Sequence, residues 1–322
     1  YIVFVQDACA TVATVSVTVP EATPVAVDAG ADTTVCVDGT VTLGGALTAS
    51  GGVARTINRI YAVEGFFDLF LGIKVEDVTK PDTIAATITP FVPAGDFGGD
   101  GLFYGINSTS GTLITIDTTT GAITTIGPLG LAGSFTGMGW NAADSTMYAL
   151  LVAGTTNSTL CTIDLATGAA TALSVLAGSA GTLPIWLAIN NDGGMYAMDI
   201  VAEVLQVIDP VAFTITAVGP TGLNTNFAQD ADFDPVTGEL YLAAFSGVGP
   251  PYFTDMYTAD ITTGATTFVG RLPVNAEITA MAISPVTITP YEYTWVPAAG
   301  LDDPTAADRK STRLNSSHEW IS

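Results

Sequence analysis

The side chains best placed to do chemistry in this sequence are carboxylates. Asp96 and Asp232 immediately precede the large apolar residues Phe97 and Phe233, and Asp230 lies two residues further back. Acids that converge on one channel can hold Ca²⁺, a hard cation that takes carboxylate oxygens. Asp96, Asp230 and Asp232 are therefore the candidate metal ligands. The competing reading has these aspartates capping turns through neighbouring backbone N–H groups. Asp96, Asp232 and Glu277 could also be the paired acids of a glycoside hydrolase, which requires carboxyl groups at a suitable separation. That role needs all three in one open pocket beside an exposed aromatic such as Trp186. The stretch Asp230-Ala231-Asp232-Phe233-Asp234 imitates the opening of an EF-hand loop. Pro235 stands where its glycine belongs and Tyr241 where its closing Glu belongs, so that motif fails.

Other chemistries are excluded by what is missing. The single histidine, His318, falls in Asp308-Arg309-Lys310-Ser311-Thr312-Arg313-Leu314-Asn315-Ser316-Ser317-His318. This run resembles the conceptual translation of a sequencing-library adapter, with Glu319-Trp320 in the place of an index, and residues 308–322 are set aside as an artefact. Without His318, neither a Ser–His–Asp nor a Cys–His arrangement can be built. The cysteines Cys9, Cys36 and Cys161 match no zinc or redox spacing, and Cys161, within an apolar strand pattern, reads as a small buried hydrophobe. Gly98-Gly99-Asp100-Gly101 reads as a hairpin turn rather than a phosphate loop, since no helix follows it. No catalytic or cofactor-binding residue is assigned, and Ca²⁺ is the one cofactor considered.

Composition narrows the partners. With a net charge of −23 and 12% charged residues, the chain lacks the Lys and Arg that neutralise nucleic-acid phosphates or anionic lipid. No apolar run is long enough to span a bilayer. Hydrophobic content of 48% supports a packed core rather than disorder. Abundant Thr, Val, Ala and Gly suit short strands and tight turns.

These carboxylates must be positioned by a repeat. Tyr61, Tyr104, Tyr148, Tyr196 and Tyr241 recur about every 45 residues. Most copies continue into a second strand ending in Asp117, Asp164, Asp209 or Asp260, then a turn such as Thr119-Thr120-Gly121, then a further strand. Before the tyrosine lies a short strand closed by Phe97, Trp140, Ile189 or Phe233. In the faint first copy, Val75-Glu76-Asp77 and Thr83–Thr89 take the places of the later strands. That copy lacks an opening strand, while Thr279–Ile283 is an opening strand with no tyrosine unit after it. Together they complete one unit and close a ring, which hides the sheet edges. The expectation is an all-β, five-bladed β-propeller over residues 55–287. A six-bladed form, with an extra blade in Phe66–Ile88, is the alternative. The channel-facing column reads Asp96, Gly139, Ala188, Asp232 and Ala282. The repeated aspartates are expected to form turns and the tyrosines to pack between blades.

The flanks carry a second signature. Val35-Cys36-Val37-Asp38-Gly39-Thr40-Val41-Thr42-Leu43-Gly44-Gly45 and Tyr293-Thr294-Trp295-Val296-Pro297 resemble PKD/Ig-like sandwich modules of bacterial adhesin-like surface proteins. The resemblance implies the end of one module at 1–20, the start of another at 25–53 and its continuation at 288–307. It also implies disulfide partners for Cys9 and Cys36 outside the chain, which opens at Tyr1 and reads as an internal fragment. The repeat, through Ala94-Gly95-Asp96-Phe97 and Phe227–Pro235, resembles uncharacterised repeat domains of secreted, surface-anchored bacterial proteins. These resemblances imply an extracellular or cell-surface location and a non-catalytic adhesion or scaffold module, whose partner is an extracellular protein or a glycan. The alternative is a carbohydrate-binding or glycoside-hydrolysing propeller.

Overall fold

The computed structural model describes residues 55–152, 157–226, 228–246, 252–273 and 276–288, together with short strands in the flanks. The chain divides into two compact units, Ile57–Val286 and a second made of Tyr1–Thr56 with Thr287–Ser322. In the second, Ile2–Gln6 pairs with Val12–Ser16, Ala26–Val27 with Ala49–Ser50, and Val41–Gly44 with Asp308–Ser311. Cys9, Cys36 and the Trp295–Pro297 motif, on which the Ig-like reading rests, lie outside the described residues.

The larger unit is a propeller of five four-stranded antiparallel blades. Blade 1 takes its inner strand, Ile278–Ile288, from the far end of the repeat. Its next three strands are Arg55–Glu64, Leu69–Lys74 and Asp77–Ala85. Blades 2 to 5 are each continuous in sequence, with inner strands Gly95–Phe97, Ser134–Asn141, Pro184–Ile189 and Asp230–Phe233. The ring is thus closed by one blade shared between the two ends of the repeat. Asn58 adds to the closure by donating to the Asp234 carboxylate of blade 5 at 2.7 and 2.8 Å.

Blade 1 departs from the sequence reading in detail. Val75-Glu76 is the tight turn between its third and outer strands, so Val75–Asp77 is not a strand, and Thr83–Thr89 meets the outer strand Asp77–Ala85 only over Thr83–Ala85. No sixth blade lies in Phe66–Ile88. That stretch is consumed by a turn and those same two strands.

Five apolar cores fill the five spaces between blades, because alternate residues of each strand face opposite neighbours. Each repeated tyrosine enters the core between its own blade and the next. Tyr61 packs with Phe103 and Ile114, Tyr104 with Met138 and Met147, and Tyr241 with Ile60 and Met281. Tyr148 and Tyr196 edge the two remaining cores. The hydroxyls of Tyr104 and Tyr148 reach Asp100 and Asp144 at the hairpins before them, at 2.8 and 2.9 Å. Cys161 is fully buried in the core between blades 2 and 3, and burial pushes its thiol up to about 11.

The repeated aspartates make turns. Asp117 accepts from the N–H groups of Thr119 and Thr120, Asp164 from Ala166 and Thr167, Asp209 from Val211 and Ala212, and Asp260 from Thr262 and Thr263. The glycines that end three of these turns also bring blades together. A Cβ on Gly121 would strike Ala85 of blade 1, and one on Gly168 or Gly264 would strike Gly127 or Gly219 of the preceding blade. At the inner strands, a Cβ on Gly137 would collide with the Trp186 and Leu187 backbone of blade 4. Gly137→Ala is therefore expected to cost roughly 1–3 kcal/mol, read as a lower midpoint in thermal denaturation followed by circular dichroism. An unchanged midpoint would contradict this packing.

Candidate functional site

The inner strands place the candidate acids in one column. Asp96, Gly139, Ala188 and Asp232 each pair across the ladder with the repeated tyrosine of their blade. Asp96 accepts from its own neighbour Phe97 N–H and from Trp140 N–H of blade 3, both at 2.6 Å. Asp232 accepts from Phe233 N–H and from Ile283 N–H of blade 1, both at 2.7 Å. Asp230 repeats the pattern one step earlier, on Ala231 N–H at 3.0 Å and Met281 N–H at 2.7 Å. Each carboxylate therefore ties its own inner strand to the next one round the ring, where no ladder joins adjacent blades. Between blades 3 and 4 the column holds Gly139, and the backbones approach directly: a Cβ there would lie 2.7 Å from the Leu187 carbonyl oxygen.

All three aspartates are buried, and burial raises their affinity for protons. Asp96 is pushed up to about 7 against the lowering effect of its two N–H bonds. Asp230 and Asp232 are held well above the usual carboxylate range, first by burial and further by the nearby charge of Asp96. Among the described residues, no group of three or more His, Cys, Asp or Glu side chains is gathered in a way that could hold a metal ion.

At one end of the channel a pocket of about 280 Å³ opens. The apolar anchor residues of the five inner strands, Phe97, Trp140, Ile189, Phe233 and Ile283, all line it, with Asp96 and Asp232 beside them. The structure does not assemble the glycosidase trio there. Glu277 stands before the inner strand of blade 1, about six residues and roughly 20 Å of extended chain from Ile283. It accepts from Ala228 N–H at 2.9 Å and is absent from the pocket wall. Trp186 is not an exposed platform: its ring is fully buried in the core between blades 4 and 5. A register shift between Ile185 and Ala188 accompanies that placement, with Trp186 at φ 53°.

The opposite end carries a feature the sequence reading did not identify. Phe66 and Phe67 form the tip of the turn between the second and third strands of blade 1, and are 49% and 58% exposed. The buried Glu64 carboxylate fixes this turn by accepting from Phe66 and Phe67 N–H, both at 2.7 Å, and from Glu277 N–H at 3.3 Å. Phe66 stacks on Tyr252 with centroids 5.7 Å apart, and Phe245 lies 5.7 Å beneath it. Phe91, 41% exposed, flanks Gly65 of the same turn. The adjacent pair Phe66-Phe67 followed by Asp68 was the available signal, because a turn ordinarily carries polar residues.

No family model matches the chain, and no curated protein matches it. Among solved structures, a chain of the nidogen/laminin complex is similar at 11% identity, over 71% of this chain and 98% of that one, with a TM-score of 0.47. TolB from Acinetobacter baumannii is similar at 13% identity and a TM-score of 0.42, with 68% of this chain covering 54% of that one. Virginiamycin B lyase from Staphylococcus aureus is similar at 11% identity and a TM-score of 0.40, over 69% and 75% of the two chains. Likenesses this distant carry no argument about activity. No helix among the described residues is long and apolar enough to cross a membrane.

The buried acids set a pH dependence. Between the ordinary carboxylate value of about 4 and the raised folded value, the folded chain holds protons that the unfolded chain has lost. Stability is therefore greatest on the acid side of this window and falls as pH rises through about 7 for Asp96. Asp117, Asp164, Asp209 and Asp260 act in the opposite sense, since their turn bonds depress them. Their contribution is lost as pH falls below about 4. The thermal midpoint is expected to drop by about 2–4 °C or more between about pH 5 and about pH 8. Asp96→Asn should shrink that drop and Asp117→Asn should leave it unchanged; a flat profile in the unmodified chain would contradict the assignment.

Proposed function

We propose that this chain is a non-catalytic adhesion or scaffold module of a multidomain bacterial surface protein, working outside the cell. Its propeller docks a protein partner through the aromatic face at Phe66, Phe67, Phe91 and Tyr252. The observation that carries this reading is the exposure of Phe66 and Phe67 on a turn whose backbone a buried carboxylate holds in place, with the exposed Phe91 beside it. Contiguous apolar surface of this kind marks interaction sites in soluble proteins, and aromatic side chains anchor such interfaces. The resemblance of the flanks to PKD/Ig-like modules supports the extracellular setting. Selection of a random displayed-peptide library on the full chain should enrich binders that lose affinity for the Phe66→Ser/Phe67→Ser variant. Binders that hold the variant equally well would overturn the reading.

A second reading draws on the channel mouth, where Phe97, Trp140 and Phe233 stand beside Asp96 and Asp232. Aromatic rings beside carboxyl groups are the feature that supports this mouth as a site for a neutral sugar. Trp140→Ala should then abolish binding on a glycan array. An array with no Trp140-dependent signal removes this alternative.

A further inference from the structure

Within the propeller, both arginines with described side chains sit on an aromatic ring and a carboxylate at the same time. The Arg271 guanidinium lies 3.9 Å from the centre of the Phe253 ring and bonds both oxygens of Asp255, at 2.6 and 2.8 Å. Arg59 lies 5.5 Å from the Tyr61 ring centre and bonds Asp82 at 3.2 Å. A planar, weakly hydrated guanidinium suits this pairing, since it stacks on a ring while its N–H groups meet a carboxylate.

The turn at Phe66, Phe67 and Asp68 offers ring and acid with no cation of its own. Asp68 is exposed at the end of the turn, and among the described residues no basic side chain pairs with it. Glu277 adjoins the turn, because its carbonyl oxygen accepts from Gly65 N–H at 2.8 Å. The Glu277 carboxyl is only partly buried. The chain as a whole carries a net charge of −23, so a cationic partner is drawn to it from a distance.

We propose that this face receives an arginine side chain from a basic segment of the partner, laid on the Phe66 and Phe67 rings and paired with Asp68. The inference rests on the reading of the aromatic face as the docking surface and names the chemistry of what docks there.

The test uses the full chain and a short labelled peptide alternating Gly and Arg, at an ionic strength of about 0.15 M so that diffuse attraction is screened. A second peptide carries citrulline, the uncharged isostere, at each Arg. Fluorescence anisotropy should show saturable binding of the Arg peptide and at least about tenfold weaker binding of the citrulline peptide. Phe66→Ser/Phe67→Ser and Asp68→Asn should each weaken Arg-peptide binding about fivefold, the size expected for one partly exposed cation–ring or charge contact. Asp68→Asn keeps a residue that tolerates φ 55°, so it reads the contact without disturbing the turn. Asp82→Asn, which alters an exposed acid elsewhere on blade 1, should leave binding unchanged.

Equal binding of the two peptides overturns the proposal. So does Arg-peptide binding that ignores both turn variants, since that is general attraction to an acidic chain. If displayed peptides depend on Phe66 and Phe67 yet carry no basic residue, the docking surface stands and the arginine inference falls.

Discussion

The structure depends on one constraint: a four-stranded blade of this composition has two apolar faces and cannot bury either alone. Each blade must therefore be sandwiched between two others, and only a closed ring satisfies all of them at once. The five cores between blades are the product of that requirement. Closure is made by the chain itself, since Ile278–Ile288 completes the blade that begins at Arg55. Neither end of the repeat can form its blade without the other, which makes ring closure a long-range event in sequence.

The channel follows from closure. Inner strands of neighbouring blades lie side by side without a shared ladder, so their backbone N–H groups need acceptors from elsewhere. Asp96, Asp230 and Asp232 supply them, at the cost of placing three acids near one another in a buried space. Where blade 3 meets blade 4 the same column holds glycine, and backbone contact takes the place of the side-chain bridge. The same carboxylates that could suggest a metal centre or a hydrolytic pair are thus engaged as struts between blades, and their environment favours the protonated form.

The two ends of the channel differ because antiparallel strands send alternate turns to opposite sides. One end collects the apolar anchors of the inner strands and forms the pocket. The other carries the Glu64-held turn and its exposed rings. Asp117 and its equivalents are spent on turn geometry in several blades, whereas Phe66 and Phe67 belong to blade 1 alone. What repeats in this protein serves the fold, and what occurs once is where recognition is expected.

The sequence by itself determined the repeat, the sharing of the closing blade and the turn role of the repeated aspartates, while the choice of five blades over six was made by the structure. Each of these is a local pattern copied around the ring, and copies can be aligned. It also placed Asp96, Gly139, Ala188, Asp232 and Ala282 in one column, since register follows from counting back from an apolar anchor on strands of period two. Blade 1 was misread in its later strands because its copy is the faintest, with Val75-Glu76 at the turn rather than in a strand. Only the tertiary structure decided what each acid touches. Asp96 and Trp140 are 44 residues apart in sequence, and Asp232 and Ile283 are 51 apart. Those bonds exist because ring closure sets neighbouring strands abreast. It likewise decided that Trp186 is core, that Glu277 stands away from the pocket, and that two phenylalanines face solvent, because burial belongs to the assembled ring and not to the residue.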